Sequence, residues 1–219
     1  MLPRKKPDKN ESIQRKLQRY YYIAKSCFLT IFGDIKIFRW PMFVIYSPLG
    51  YQVKGEQTRA LFEILQPGDV VMRGYNNYLD GYFIPIGESR CSHSGVYDGK
   101  NKVYHSVAEG LQHDDIIEFC RTDRIMVLRP ASGQEWALEH ARKCKAADIP
   151  YDFDFEPDAG KYYCHEFTAS CYPDLEIKPM TRKVFGIIPS PVVYLADSFY
   201  TNSNFKLVYN YDGNEKAGS

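Results

Sequence analysis

The stretch Ser92-His93-Ser94-Gly95-Val96-Tyr97-Asp98-Gly99-Lys100-Asn101-Lys102-Val103-Tyr104-His105-Ser106-Val107 decides how this chain is read. Two arms rich in β-branched and aromatic residues flank Asp-Gly-Lys-Asn, whose residues favour the tight turn of a hairpin. Each arm carries one histidine. Side chains alternate faces along a strand, so the pairing register decides whether the two imidazoles meet. A loop of odd length centred on Lys100 pairs Gly95 with His105 and His93 with Val107. Both histidines then share a face as diagonal neighbours, roughly 7 to 8 Å apart. A loop of even length sends them to opposite faces. The hairpin thus presents one half of a site.

The other half calls for a nucleophile or metal ligand from elsewhere. Cys164, Phe167, Thr168 and Cys171 fall at i, i+3, i+4 and i+7, a helical stripe that begins at the cysteine. A cysteine at a helix N-terminus meets partial positive charge that favours the thiolate. A thiol nucleophile also needs a base, an orienting partner for that base and donors for the developing oxyanion. Cys164 as nucleophile, His93 as base and His105 as orienting residue fill these roles, with the Cys164 backbone N–H as one oxyanion donor. The thiol, with an ordinary pKa of about 8.5, is expected to fall below neutral beside an imidazolium. Tyr163 and Tyr78 are the further candidates for the oxyanion or substrate wall. Taken alone, Cys164 reads as a buried core thiol and His105 as structural; the joint pattern is what makes a site.

Competing chemistry is weaker. Cys91, His93, His105 and Cys164 could hold zinc, but only Cys91-Ser92-His93 is local, whereas structural zinc sites bring paired short spacings. No metal and no cofactor is expected. Asp152, Asp154, Glu156 and Asp158 alternate like a calcium loop, yet Pro157 and Tyr163 stand where such a loop needs glycine and glutamate. These four read as a solvated acidic segment. Glu109 is a reserve for the orienting role, and His113, His140 and His165 read as structural or exposed.

With 219 residues and 44% hydrophobic content, the chain can bury one sizeable core and carry an extension. A net charge of +1 offers no field for nucleic acid, which is not an expected partner. The local exception is Arg4, Lys5, Lys6, Lys9, Arg15, Lys16 and Arg19 against Asp8 and Glu11. From Glu11 to Phe32 the pattern is helical, with Ile13, Leu17, Tyr20, Tyr21, Ala24, Phe28 and Ile31 on one stripe. We expect that stripe to pack on the domain; the sharper alternative lays it on a membrane surface as a peripheral contact. Lys25 interrupts any secretory signal, and Lys25, Asp34, Lys36 and Arg39 break any spanning segment. The expectation is a cytoplasmic protein whose six cysteines are reduced.

Further along, residues 56–65 read as a helix and residues 69–73 as a buried strand entered through Pro67-Gly68. Residues 74–91 form a long connection, a candidate wall of a substrate groove. A strand follows at 124–129. Ser132 with Glu135 reads as a capping box opening a helix to about Ala146, with Trp136, Ala137, His140, Ala141 and Cys144 inward. A helical stretch at 193–199 and a last strand at 205–209 complete the pattern. The expected organisation is an extension at 1–60, a catalytic domain at 61–210 and a disordered tail at 211–219.

These pieces resemble the circularly permuted branch of the NlpC-type papain-like cysteine hydrolases, the YiiX-like proteins and lecithin retinol acyltransferase relatives. The resemblance rests on Pro67-Gly68-Asp69-Val70-Val71, Ser92-His93-Ser94-Gly95-Val96-Tyr97, Val103-Tyr104-His105 and Tyr163-Cys164-His165-Glu166-Phe167, and spans about residues 64 to 208. Histidine before cysteine in the chain marks the permuted branch. The resemblance implies an α+β papain-like fold with an antiparallel sheet, and a Cys164, His93, His105 triad. The activity it implies is that of a thiol hydrolase or acyltransferase working through a thioester acyl-enzyme on a peptide, amide or lipid-like substrate. The alternative is a non-catalytic lipid-binding or structural protein that keeps the fold.

Overall fold

The computed structural model describes residues 50–76, 78–79, 87–156, 160–181, 183–184, 188–189 and 191–213, with shorter pieces between residues 17 and 45. A short antiparallel pair, β1 (Lys36–Phe38) and β2 (Phe43–Ile45), precedes helix α1 (Gly55–Ile64). Then come β3 (Val70–Gly74), β4 (His93–Tyr97), β5 (Lys102–Val107), β6 (Gly110–Asp115), α2 (Ile116–Phe119) and β7 (Arg124–Pro130). Helices α3 (Gln134–Ala146) and α4 (Cys164–Ser170) follow. After the short pair β8 (Lys183–Val184) and β9 (Ile188–Pro189), helix α5 (Ala196–Tyr200) leads into β10 (Phe205–Tyr211). Six strands form one sheet in the order β10-β7-β3-β4-β5-β6, antiparallel throughout. The fold is α+β, as the sequence implies.

Both faces of this sheet are covered, which explains why β3 and β7 read as continuous apolar runs. Val70, Met72, Val96, Met126 and Leu128 pack with Ala137 and Ala141 of α3, Phe167 of α4 and Phe199 of α5. Val71, Val103, Ile125 and Val127 face the other way, onto Leu61 of α1 and Ile116 and Phe119 of α2. Each such side chain contributes about 1.5–3 kcal/mol relative to exposure. The Pro67-Gly68 turn sets the start of β3. Gly68 has φ +82°, and a Cβ there would lie 2.6 Å from Gln134 Cβ. Asp69, 1% exposed, then receives a two-pronged pair from Arg129, Nε to Oδ1 at 2.9 Å and Nη2 to Oδ2 at 2.8 Å. That pair ties β3 to β7.

The decisive hairpin takes the odd register. Tyr97 pairs with Val103 and Val96 with Tyr104, so the connection is centred on Lys100 and Gly95 falls opposite His105. Asp98 Oδ1 accepts the N–H groups of Lys100 (2.6 Å) and Lys102 (3.0 Å), closing the turn. Gly95 is required by close approach: a Cβ there would lie 2.7 Å from the Tyr104 carbonyl and 2.9 Å from His105 Cβ.

Several expectations are corrected. Residues 110–115 form an edge strand that the sequence reading left unassigned. The Ser132–Glu135 capping box does not form; Gly133 is the N-cap, at φ +88°. Trp136 points to solvent, 50% exposed, while Ala137, Ala141 and Cys144 face inward. Asp152 is buried and accepts the N–H groups of Asp154 (2.9 Å) and Glu156 (2.7 Å), so it folds a loop back on itself and is not solvated. On the N-terminal helix, Leu17, Tyr20, Tyr21, Ile23, Phe28 and Ile31 are exposed and do not pack on the domain. Among the described residues no helix is long and apolar enough to cross a membrane. Ile13 and the tail beyond Gly213 lie outside the described residues, as does much of the 74–91 connection.

Gly95→Ala is expected to cost about 1–3 kcal/mol, because the added methyl would lie 2.5 Å from Val103 Cγ1, on a stiff β-branched side chain, and 2.7 Å from the Tyr104 carbonyl. Urea denaturation reads this directly, and an unchanged midpoint would contradict the close approach.

Candidate active site

Three consecutive residues of the quoted stretch organise the site. The Ser92 carbonyl accepts the Cys164 thiol at 3.8 Å. His93, first residue of β4, turns toward the α2 face, while Ser94 turns toward α4. There the Ser94 hydroxyl donates to the Cys164 carbonyl (3.4 Å) and bonds His165 Nδ1 (2.8 Å) and Thr168 Oγ1 (2.8 Å). Ser106 of β5 donates to the Tyr162 carbonyl at 2.6 Å, holding the segment that leads into α4. The adjacent strands β4 and β5 thus carry the histidines and anchor the helix that begins at Cys164.

His93 Nε2 lies 2.8 Å from His105 Nδ1, with the rings edge-on. Gly95, opposite His105 and two residues from His93, leaves the gap across which they meet. His105 Nε2 in turn lies 3.0 Å from Asp114 Oδ2. Asp114 is on β6, where Val103 pairs with Asp114 and His105 with Gln112, so His105 and Asp114 are diagonal neighbours on one face. The hydrogen bond from His105 holds the Asp114 carboxyl below its usual range, so it is ionised and accepts only. His105 therefore carries its proton on Nε2 and accepts at Nδ1. His93 must then donate from Nε2, which leaves its Nδ1 lone pair free for a proton. A chain of three groups sets one tautomer at each ring.

Burial governs the charges. His93 is held well below the ordinary imidazole range, by desolvation first, then by Arg73 and His105. His105 is lowered too, by burial, against the pull of Asp114. The Phe119 ring, 5.7 Å from His93 and 5.3 Å from His105, supplies part of that apolar wall. At Cys164, 6% exposed, burial pushes the thiol up to about 11. The backbone N–H groups of Ser94, His165 and Cys164 itself, with the Arg73 charge, pull the other way and lose. The expected fall of this thiol below neutral is corrected: α4 has 7 residues, and desolvation outweighs its dipole. At rest the thiol and the imidazole are both neutral, and the thiol bonds Ser92 while His93 bonds His105.

The remaining candidates sit as follows. Tyr163, the N-cap of α4, is buried, and its hydroxyl accepts the Tyr194 N–H at 2.6 Å. Tyr78 is buried in an aromatic group with Tyr75, 4.7 Å between ring centres, with the Lys36 ammonium over its ring. Glu109 is exposed in the turn between β5 and β6, and the carboxylate beside His105 is Asp114. Cys91 packs in the α3/α4 core, its thiol pushed up to about 12 by burial. Among the described residues no group of three or more His, Cys, Asp or Glu side chains converges on a metal position. His113 pairs with Asp98 at 2.8 Å and stacks on Tyr104, and His140 bonds Ser170, both structural arrangements. Asp197, fully buried, accepts the N–H groups of Glu88 (2.8 Å) and Ser89 (2.9 Å) and holds the approach to β4.

An antiparallel sheet, with a cysteine opening a packed helix and the histidine strands before it in the chain, is the plan of a permuted papain-like protein. The family model described as "Permuted papain-like amidase enzyme, YaeF/YiiX, C92 family" matches residues 64–209, and the chain belongs to that family. A solved structure titled as the metalloprotein yiiX from Escherichia coli O157:H7 is similar in fold. Its TM-score is 0.52 at 16% identity, over 67% of this chain and 97% of that one. A search of curated proteins finds no match.

The buried His165 gives a pH prediction. Desolvation lowers its pKa to about 4, against about 6.5 unfolded. Between those values the unfolded chain binds more protons, so stability is full above pH 6.5 and falls as pH drops toward 4, by up to about 3 kcal/mol. His165→Gln is expected to flatten the fall of Tm across that window by about one proton's worth, and an unaltered slope would contradict the assignment.

Proposed function

We propose that the protein is a thiol amidase working through a thioester at Cys164. The family supports a cysteine hydrolase, and the single observation that carries the finer reading is the chain from Asp114 through His105 to the free Nδ1 of His93. As Cys164 Sγ attacks the carbonyl carbon, His93 Nδ1 takes the thiol proton, so the buried thiol never has to rest as a bare anion. The imidazolium formed keeps its Nε2–H on His105, and Asp114 steadies the charge through that ring. The Cys164 backbone N–H meets the developing oxyanion. Collapse breaks the C–N bond, and His93 returns its proton to the departing amine. Water, or another nucleophile in an acyl transfer, then attacks the thioester as His93 again serves as base. The C–S bond then breaks, His93 hands the proton to the departing Cys164 Sγ, and the acid or the acylated acceptor leaves the regenerated thiol.

The buried, neutral thiol favours one other reading, a non-catalytic protein that keeps the fold. Acid-quenched intact-mass spectrometry after mixing with activated acyl amides and esters separates the two. The amidase reading predicts an acyl adduct on Cys164 that is absent in Cys164→Ala, and turnover lowered about tenfold to hundredfold in Asp114→Asn. No adduct, or one that survives in Cys164→Ala, would favour the non-catalytic reading.

A further inference from the structure

Arg73 is the charged side chain at this site to which the proposed mechanism gives no step. In the β3–β4 register it stands directly opposite His93, and so on the same face of the sheet. Its guanidinium carbon lies 4.6 Å from the centre of the Phe119 ring, the ring that also abuts His93 and His105. It lies 5.7 Å from the Tyr75 ring on another side. Two aromatic faces therefore hold the planar fork beside the proposed base.

Among the described residues the fork makes no ion pair. The contact from Nη1 to the Phe119 carbonyl is long, at 3.4 Å, and the buried Nε has no hydrogen-bond partner among the described residues. Arg129, by contrast, is a structural arginine and has both its prongs on Asp69. A half-buried guanidinium with unused donors is costly to keep unless a ligand completes it, and its geometry matches the paired oxygens of a carboxylate or phosphate.

We propose that Arg73 forms an anion-accepting subsite next to Cys164, so that the substrate carries a carboxylate or phosphate close to its scissile amide. This rests on the reading of Cys164 as nucleophile. The Arg73 charge is felt at every group of the site, lowering the pKa of Cys164, His93, His105 and Asp114. It favours a thiolate and disfavours an imidazolium, a role that by itself is indifferent to substrate charge. The subsite is not indifferent, and this difference makes it testable.

The test alkylates the full chain with iodoacetate and with iodoacetamide, which differ in one negative charge, and follows each cysteine by mass spectrometry. Exposed Cys27 is the internal reference. The subsite predicts an iodoacetate-to-iodoacetamide rate ratio at Cys164 about tenfold above that at Cys27. The ratio falls to the Cys27 value in Arg73→Gln and is partly kept in Arg73→Lys. In the unmodified protein, competing acetate or inorganic phosphate slows the iodoacetate arm selectively, and the stronger competitor names the anion. That arm needs no variant and stands if Arg73→Gln fails to fold. Equal ratios at the two cysteines, or a high ratio that survives in folded Arg73→Gln, would overturn the subsite while leaving the thiol reading intact. Slow reaction of Cys164 with both reagents, unaffected by His93→Ala, would overturn the thiol reading and the subsite with it.

Discussion

Side-chain alternation along β4 is the constraint on which the rest of the molecule depends. Because successive residues of a strand face opposite ways, His93 reaches across Gly95 to His105 while Ser94 reaches down to Cys164, His165 and Thr168. One strand thus joins the two halves of the site without a loop between them. A one-residue slip would exchange the faces, leaving the imidazoles among the α4 contacts and the serine against Phe119. The register is held at both ends of the hairpin unit, by the Asp98 turn and by the Asp197 carboxylate that gathers the backbone before Cys91.

Burial sets the chemistry available there. An exposed Cys–His pair could rest as an ion pair, but here desolvation raises the thiol to about 11 and lowers both imidazoles. In the proposed reaction, charge separation would be confined to the moment of attack, when the Asp114–His105 chain has a fixed position and need not reorganise. The same burial would shield the proposed thioester from stray solvent. Arg73 stands outside this balance as a cation without a counter-ion among the described residues, and a substrate anion would complete it.

Much of this was legible in the sequence, and the reasons are specific. The hairpin could be read because Asp98-Gly99 marks a turn and both arms are β-branched and aromatic; its odd register made the two histidines neighbours. The helix at Cys164 could be read from its i, i+3, i+4, i+7 stripe. Asp114 could not, because β6 is an edge strand in which Gln112, His113, Asp114 and Asp115 follow only one buried large apolar residue, Leu111, so no apolar alternation announces it. The signal that could have found it is the Ala108-Glu109-Gly110 turn, which folds the chain back so that Asp114 returns beside His105. Ser94 carries no signature of its own in the sequence, since a serine beside a histidine on a strand is an ordinary residue there. The thiol's ionisation is not legible in the sequence, because a helix N-terminus is visible there and the depth of burial is not.

Whether His93 is the base for Cys164 is read from the rate of Cys164 alkylation by iodoacetamide against pH, in the parent chain and in His93→Ala. With His93 as base, the parent reacts at neutral pH, far below the thiol's own value of about 11, and His93→Ala loses this reaction and gains rate only as pH climbs toward that value. Superimposable profiles in the two proteins would contradict it.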